Sequence, residues 1–228
     1  MLTYFAIAFL SGLIPAVFWS WFWLREDTEH PEPLFAIIIS FISGMLVVPV
    51  ALYMQKFTLE IYSGDKIFIA WVIIEEVLKY MATLLIFLWN KNIDEPIDMI
   101  IYIILIALGF AALENSLFVF NQIKSGAYAD TFVTGGFRFL GSTLLHVLAS
   151  GTIGVAMALT YYKTKIVQLL SSLLGLFIAI VLHALFNFFI MKGNEEIVMS
   201  VFLFVWIGII FMFIFFEKVK IIERKHNL

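Results

Sequence analysis

The sequence predicts an all-α, polytopic transmembrane helical bundle, and three observations support this prediction. The chain of 228 residues is 63% hydrophobic, with a mean hydropathy of +1.02, which is far more apolar than an ordinary soluble domain. It contains about seven apolar runs of membrane-spanning length, with an eighth possible. The connections between these runs are short, so we expect one integral-membrane domain over residues 1–228, embedded in a lipid bilayer.

The seven runs are spread along the whole chain. Their bounds are Leu2–Leu24, Leu34–Met54, Ile67–Trp89, Met99–Phe120, Phe139–Tyr162, Ile166–Met191 and Ile197–Phe216. The first run has no Lys or Arg before it and no small-residue cleavage site after it. We therefore interpret it as a retained span rather than a signal peptide.

The charged residues and the missing cysteines exclude several classes of function. A net charge of −3 and scattered basic residues argue against a nucleic-acid partner. The chain has no cysteine, which excludes a thiol nucleophile and thiolate-bound metals. Any chemistry must therefore use Glu, His, Asn, Ser and Lys.

The lysines and arginines of alternate connections predict the orientation. One face carries eight of them, namely Arg25, Lys91, Lys163, Lys165, Lys218, Lys220, Arg224 and Lys225. The other face carries five, namely Lys56, Lys66, Lys124, Arg138 and Lys192. The positive-inside rule makes the first face cytoplasmic.

Strongly polar side chains lie deep within four of the apolar runs. They are Glu75, Glu76, Lys79, Glu114, Asn115, His146, His183 and Asn187. A charge at the centre of a spanning helix costs about 2.5–3.5 kcal/mol on insertion scales, so such residues usually face the bundle interior and mark function. We expect these side chains to point inward.

These polar groups share one depth in the predicted bundle. Glu75, Glu114, His146 and His183 each lie eight to ten residues from a basic residue on the same face. At about 1.5 Å per residue, all four lie roughly 12–15 Å below that face. A common depth is expected of an active site or a bound ion, and by the charge count this layer opens toward the non-cytoplasmic face.

Helical spacing orients the groups within each run. Either Glu75 or Glu76 can pair with Lys79, but the two carboxylates point about 100° apart, which favours different roles. His183 and Asn187 are four residues apart and share one helix face.

Purely structural interpretations remain open for individual residues. The three charges of the third run can form an intramembrane ion pair, and each histidine can form an interhelical hydrogen bond. Glu114 and Asn115 can bridge helices as readily as take part in chemistry, and Phe110 fits a packing role. None of these interpretations explains the shared depth.

Glutamates beside histidines suit the activation of a water molecule. A carboxylate can act as general base, while imidazoles bind a metal or hydrogen-bond an oxyanion. No run carries two histidines around a glutamate as in the common zinc proteases. Any metal needs ligands from separate helices, such as His146, His183 and a glutamate, so metal dependence stays open at this point.

Five segments resemble the motifs of the PrsW family of intramembrane proteases, which are related to the CAAX prenyl endopeptidases. They are "WLREDTEHPEP", "EEVLK" (Glu75, Glu76, Lys79), "GFAALEN" (Phe110, Glu114, Asn115), "HVLASG" (His146) and "HALFNF" (His183, Asn187). The resemblance implies a membrane-embedded peptidase that cleaves a membrane-anchored anti-sigma factor on the extracytoplasmic side, as part of a stress response.

The resemblance also implies roles for single residues. Glu75 and Glu76 supply or position the catalytic base, and His146 helps to bind or activate water. His183 and Asn187 stabilise the oxyanion or complete a metal site, with Lys79 as an ion-pair partner. The implied metal is Zn²⁺ held by His146, His183 and Glu114, and a metal-free glutamate mechanism is the alternative. Where the family has aspartate, this chain has Asn187, and in this it resembles the prenyl endopeptidases.

Three other functions remain as hypotheses. A CAAX-type prenyl endopeptidase shares the motifs, but its substrate arrives from the cytoplasm. A proton-coupled transporter also buries Glu, Lys and His, yet transport sites use broken helices, and no run with a deep acid or histidine contains proline. A non-catalytic membrane scaffold is the third.

Overall fold

The computed structural model consists of seven α-helices joined by short connections. It describes residues 2–26, 31–90, 93–126 and 128–226, with the backbone alone at residues 2, 128–140 and 195. The helices are α1 (Leu2–Leu24), α2 (Leu34–Ile61), α3 (Asp65–Trp89), α4 (Asp98–Ser125), α5 (Tyr128–Ala158), α6 (Lys165–Lys192) and α7 (Glu195–His226). The all-α prediction is confirmed, and these described ranges contain neither a strand nor an eighth helix.

Six of the helices are long and apolar enough to cross a membrane, and α3 is the exception. At 25 residues α3 has the length to span a bilayer, but Glu75, Glu76 and Lys79 lie in its middle. All three of these side chains are buried inside the bundle. The chain is therefore a multi-pass membrane protein in which helix α3 turns its charges inward.

Helix α4 is the centre of the bundle. Every residue from 100 to 112 of α4 is buried, and the helix packs against α1, α2, α3 and α5. A helix that is apolar on all sides belongs in such a central position. Glu114 and Asn115 follow this buried stretch, in the second half of α4.

Two glycines allow α2 and α4 to touch backbone to backbone. A side chain at Gly44 would overlap the carbonyl oxygen of Ile106, and one at Gly109 would overlap the carbonyl oxygen of Phe41. Small residues permit this close approach between membrane helices. The glycine of "GFAALEN" therefore serves helix packing, and the contact places α2 directly against α4.

Several helices extend beyond the predicted apolar runs. The second run was expected to end at Met54, the fifth to begin at Phe139 and the last to end at Phe216, but α2 continues to Ile61, α5 begins at Tyr128 and α7 ends at His226. Hydropathy marks where lipid contact ends, whereas a helix continues as long as its polar side chains find partners. In α2 the buried side chains of Gln55 and Thr58 find such partners on α3.

An ion pair shows which helix ends share a membrane face. Lys192 Nζ at the end of α6 lies 2.6 Å from Asp65 Oδ2 at the start of α3. Of the residues counted for orientation, Arg138 lies within α5 rather than in a connection, because that helix begins ten residues before it. Lys91, and His30 of the charged loop, lie outside the described residues.

Candidate active site

Four helices bring their polar side chains to one place. Glu75, Glu76 and Lys79 come from α3, Glu114 and Asn115 from α4, His146 from α5, and His183 and Asn187 from α6. Each of these side chains hydrogen-bonds within the cluster, packs on it or lines the cavity above it. The shared depth expected from the sequence corresponds to a real cluster.

Glu76 is the most enclosed member of the cluster. Its Oε1 accepts hydrogen bonds from Lys79 Nζ at 2.5 Å and from His183 Nδ1 at 2.7 Å. Its Oε2 accepts one from Ser150 Oγ at 3.2 Å. The side chain has no exposed surface, so both oxygens are committed to neighbouring residues.

Lys79 fixes the proton position on His146. Lys79 Nζ lies 3.1 Å from His146 Nδ1, and an ammonium group only donates hydrogen bonds. The Nδ1 atom therefore accepts, and in the neutral imidazole the hydrogen is assigned to Nε2. That Nε2–H group donates to Glu114 Oε2 at 2.9 Å. Phe110 encloses the pair, with its ring centroid 4.8 Å from Lys79 Nζ and 5.2 Å from the His146 ring.

His183 has the opposite assignment. Its Nδ1 donates to Glu76 Oε1, so the Nε2 of the neutral ring carries a lone pair. This Nε2 lies 3.7 Å from Glu75 Oε2, which is longer than a hydrogen bond. The two imidazole rings meet edge to face, with centroids 5.0 Å apart. One histidine thus presents a donor to the cavity and the other an acceptor.

Glu75 has one bound oxygen and one free oxygen. Gln55 Nε2, on α2, donates to Glu75 Oε1 at 2.8 Å. Glu75 Oε2 is buried, and no described residue forms a hydrogen bond with it. Lys79 pairs with Glu76 and not with Glu75, which resolves the alternative that the spacing left open.

A cavity of about 220 Å³ lies above the cluster. It is lined by Phe68, Trp71, Glu75, Glu114, Asn115, Phe118, Val119, Ser142, His146, His183, Phe186, Asn187 and Met191. The lining includes the first turn of α3 and the last turns of α6, so the cavity extends toward the face of the Asp65–Lys192 pair. The Glu114 side chain is 37% exposed, so this space is open to the surface of the bundle. A larger cavity of about 620 Å³, near Tyr161 and Lys165, has no carboxylate or imidazole in its lining.

The structure groups the metal-binding side chains differently from the expected set. Ligand atoms of Glu76, His146 and His183 lie within 4.8 Å of one another, whereas Glu114, expected as the carboxylate ligand, hydrogen-bonds to His146 Nε2. Two imidazoles and a carboxylate form the donor set of several catalytic zinc sites, so the residue types fit a metal. Lys79 contacts Glu76 and His146, and its ammonium group competes with any metal for them.

Sequence reasoning missed two contributors to the cluster. Gln55 lies one residue beyond the predicted end of the second run, and extending that run by one helical turn would have included it. Thr143 on α5 accepts a hydrogen bond from Asn115 Nδ2 at 3.1 Å, a neutral contact that no sequence signal marks. Asn187 lines the cavity as expected.

Replacing Lys79 tests the central ion pair. The Lys79→Met change leaves the Glu76 carboxylate buried beside no cation, so we expect a loss of about 3–5 kcal/mol in the free energy of unfolding. The double change Lys79→Met with Glu76→Gln should recover most of that loss. Denaturant unfolding in detergent micelles measures both values. The control is Lys192→Met at the exposed pair, which should cost less than about 1 kcal/mol; equal losses at Lys79 and Lys192 would contradict the buried-pair interpretation.

Comparisons with known proteins identify the family of the chain. The chain is 29% identical over 195 residues to Protease PrsW of Clostridioides difficile (strain 630), covering 80% of this chain and 79% of that protein. It is 29% identical over 189 residues to Protease PrsW of Oceanobacillus iheyensis, covering 80% and 82% of the two chains. No solved structure matches. The family model described as "PrsW family intramembrane metalloprotease" matches residues 32–216, and the chain therefore belongs to that family of membrane-embedded peptidases.

Proposed function

We propose that this peptidase cleaves a membrane-anchored protein with a water molecule activated by Glu75. One observation carries the proposal: Glu75 Oε2 is buried, has no hydrogen-bond partner among the described residues and borders the cavity. A buried carboxylate oxygen without a donor is costly, and a water molecule supplies the missing donor. Glu75 is therefore the general base of the proposed mechanism.

Two acceptors face the position of that water. Glu75 Oε2 and His183 Nε2 are 3.7 Å apart. With Glu75 ionised and the His183 hydrogen assigned to Nδ1, neither atom carries a hydrogen. A water between them donates one hydrogen to each, which points its oxygen lone pairs into the cavity. Glu75 then takes the proton as the water oxygen attacks the peptide carbonyl, and returns it to the peptide nitrogen as the carbon–nitrogen bond breaks. Glu76 keeps His183 in this orientation through the Nδ1 hydrogen bond of 2.7 Å.

The cavity lining also supplies donors for the oxyanion. The His146 Nε2–H group and the Asn187 side-chain amide both border the cavity, and each can donate to the oxygen that becomes negative. Asparagine cannot act as a general base, so an orienting or oxyanion role suits Asn187. Glu114 holds His146 in place until a substrate carbonyl replaces it.

The family description implies a metal, and Zn²⁺ is the ion that we propose. Glu76, His146 and His183 would hold it, since their ligand atoms lie within 4.8 Å of one another. A bound zinc ion would polarise the carbonyl and acidify water. The proton steps above depend only on side chains of the chain.

A groove between α3 and α6 supports a membrane-anchored substrate. Its volume is about 250 Å³, and it shares Phe68, Asn187 and Met191 with the cavity. Ile69 and Phe188 on its walls are 51% and 45% exposed, so the groove opens sideways toward lipid. We therefore propose that a single-span protein, such as an anti-sigma factor, enters between these helices.

The proposed side of cleavage is extracytoplasmic. The cavity extends toward the helix ends near Lys66, Lys124 and Lys192, the face with fewer basic residues. This favours an anti-sigma factor over a prenylated tail, which arrives from the cytoplasm. Helices α3 to α6 contain no proline and run unbroken past the cluster, which disfavours a transporter.

The Glu75→Gln change tests the general base. The amide has almost the same shape but cannot accept the proton, so we expect cleavage of a single-span anti-sigma factor in proteoliposomes to fall by at least about a hundredfold. Gel analysis of product formation measures the rate. Glu76→Gln should also be severe, because it releases His183.

The matched control is Glu196→Gln, an exposed glutamate in the first turn of α7, which should cleave normally. Normal cleavage by both Glu75→Gln and Glu76→Gln would remove the general-base assignment. A prenylated peptide offered in parallel distinguishes the second candidate, because its preferred cleavage would establish a CAAX-type activity.

A reversible cross-link tests the entry route. The chain has no cysteine, so Asp65→Cys with Lys192→Cys creates a single thiol pair across the mouth of the groove. A short bifunctional thiol reagent with a disulfide spacer should abolish cleavage of the anchored substrate, and a reductant should restore it. The control pair is Leu185→Cys with Phe204→Cys, which borders a separate apolar cavity of about 290 Å³. Full activity of the cross-linked 65–192 protein would refute entry between α3 and α6.

Zinc addition to Lys79→Met tests the metal. The ammonium group no longer competes for Glu76 and His146, so zinc should raise the unfolding temperature of this variant more than that of the unaltered protein. A free zinc concentration one hundred times the Kd stabilises the folded protein by about 2.7 kcal/mol. Adding His183→Ala should remove the response. The zinc assignment fails if neither protein responds and elemental analysis finds no metal in either.

A further inference from the structure

Helix α2 is largely apolar, yet one of its polar side chains, Gln55, reaches the site. Gln55 is 8% exposed, although its neighbours Met54 and Phe57 are 42% and 49% exposed. The side chain turns away from lipid and donates from Nε2 to Glu75 Oε1 at 2.8 Å. Gln55 does not line the cavity, so it reaches the site only through Glu75.

This single hydrogen bond decides which oxygen of Glu75 is free. The terminal torsion of glutamate is broad and nearly two-fold, so an unrestrained carboxylate would exchange its two oxygens. With Oε1 held by Gln55, Oε2 alone faces His183 Nε2. The proposed base is thereby held in one orientation before substrate arrives.

The backbone at Gln55 lies beside a short hydrogen-bonded chain that links α2 to α3. Thr58 Oγ1 donates to the backbone carbonyl oxygen of Gln55 at 2.7 Å, and Trp71 Nε1 donates to Thr58 Oγ1 at 2.8 Å. Trp71 lies one turn before Glu75 on the same face of α3. Two hydrogen bonds about one helical turn apart therefore join α2 to α3, one from Trp71 to Thr58 and one from Gln55 to Glu75.

We infer that Gln55 is a positioning residue for catalysis, which orients the Glu75 carboxylate without touching substrate. The inference rests on the proposed function of Glu75 as general base. A purely structural role would lower stability and affect binding and turnover together. A positioning role lowers kcat, and only while Glu75 is a carboxylate.

The test compares Gln55→Met with Gln55→Glu in the proteoliposome assay. Methionine keeps the approximate volume but removes the donor, so kcat should fall about ten- to hundredfold with KM unchanged, the effect of one lost hydrogen bond to a charged group. Glutamate places a second carboxylate against Glu75, so its loss should be larger. Thr58→Val, which breaks the supporting chain, should give a smaller decrease.

Ser40→Ala is the matched control, because Ser40 is a buried polar residue of the same helix and its Oγ has no hydrogen-bond partner among the described residues. Its kcat should equal that of the unaltered protein. The decisive arm repeats Gln55→Met in the Glu75→Gln background, where the residual rate in single turnovers should not fall further.

The outcomes separate the two proposals. A fall in kcat with KM unchanged, which disappears in the Glu75→Gln background, supports the positioning role. An unchanged kcat in Gln55→Met, or an equal decrease in both backgrounds, overturns it while leaving Glu75 as base. Full cleavage by Glu75→Gln itself overturns the proposed function, whatever Gln55→Met does.

Discussion

The buried ion pair between Lys79 and Glu76 is the interaction on which the rest of the site depends. Three charged residues on one helix cannot face lipid without a cost of several kcal/mol, so α3 must turn them toward its neighbours. The pair then anchors both imidazoles, His146 through Lys79 and His183 through Glu76. A single intrahelical contact thus sets the hydrogen positions on two other helices.

The surrounding bundle makes this arrangement possible. The first half of helix α4 is apolar on all sides and fills the centre of the bundle. Glu114 and Asn115, in its second half, lie in the polar cluster. The contact at Gly44 and Gly109 brings α2 against α4, and α2 then reaches α3 as well. Further along α2, Gln55 donates its hydrogen bond to Glu75 of α3. Packing of small residues in one part of the bundle therefore serves the chemistry in another.

Adjacent glutamates acquire different environments because they point in different directions. Glu76 faces the interior, where both of its oxygens accept hydrogen bonds, and it orients the imidazole of His183. Glu75 faces the cavity with one oxygen held and the other without a partner among the described residues. The first arrangement suits a structural anion or a metal ligand, and the second suits a base. The family to which the chain belongs supplies the reaction class, and this asymmetry supplies our assignment of roles.

The sequence by itself determined the all-α membrane fold, the common depth of the polar residues and the different directions of Glu75 and Glu76, because hydropathy and helical rise act along each helix separately. The tertiary structure alone decided that Lys79 pairs with Glu76, that Glu76 rather than Glu114 groups with the histidines, and that Gln55 holds Glu75. These choices depend on how each helix is rotated about its axis and how closely it approaches its neighbours. Periodicity within one helix carries no information about either, since both are set by packing between helices distant in sequence.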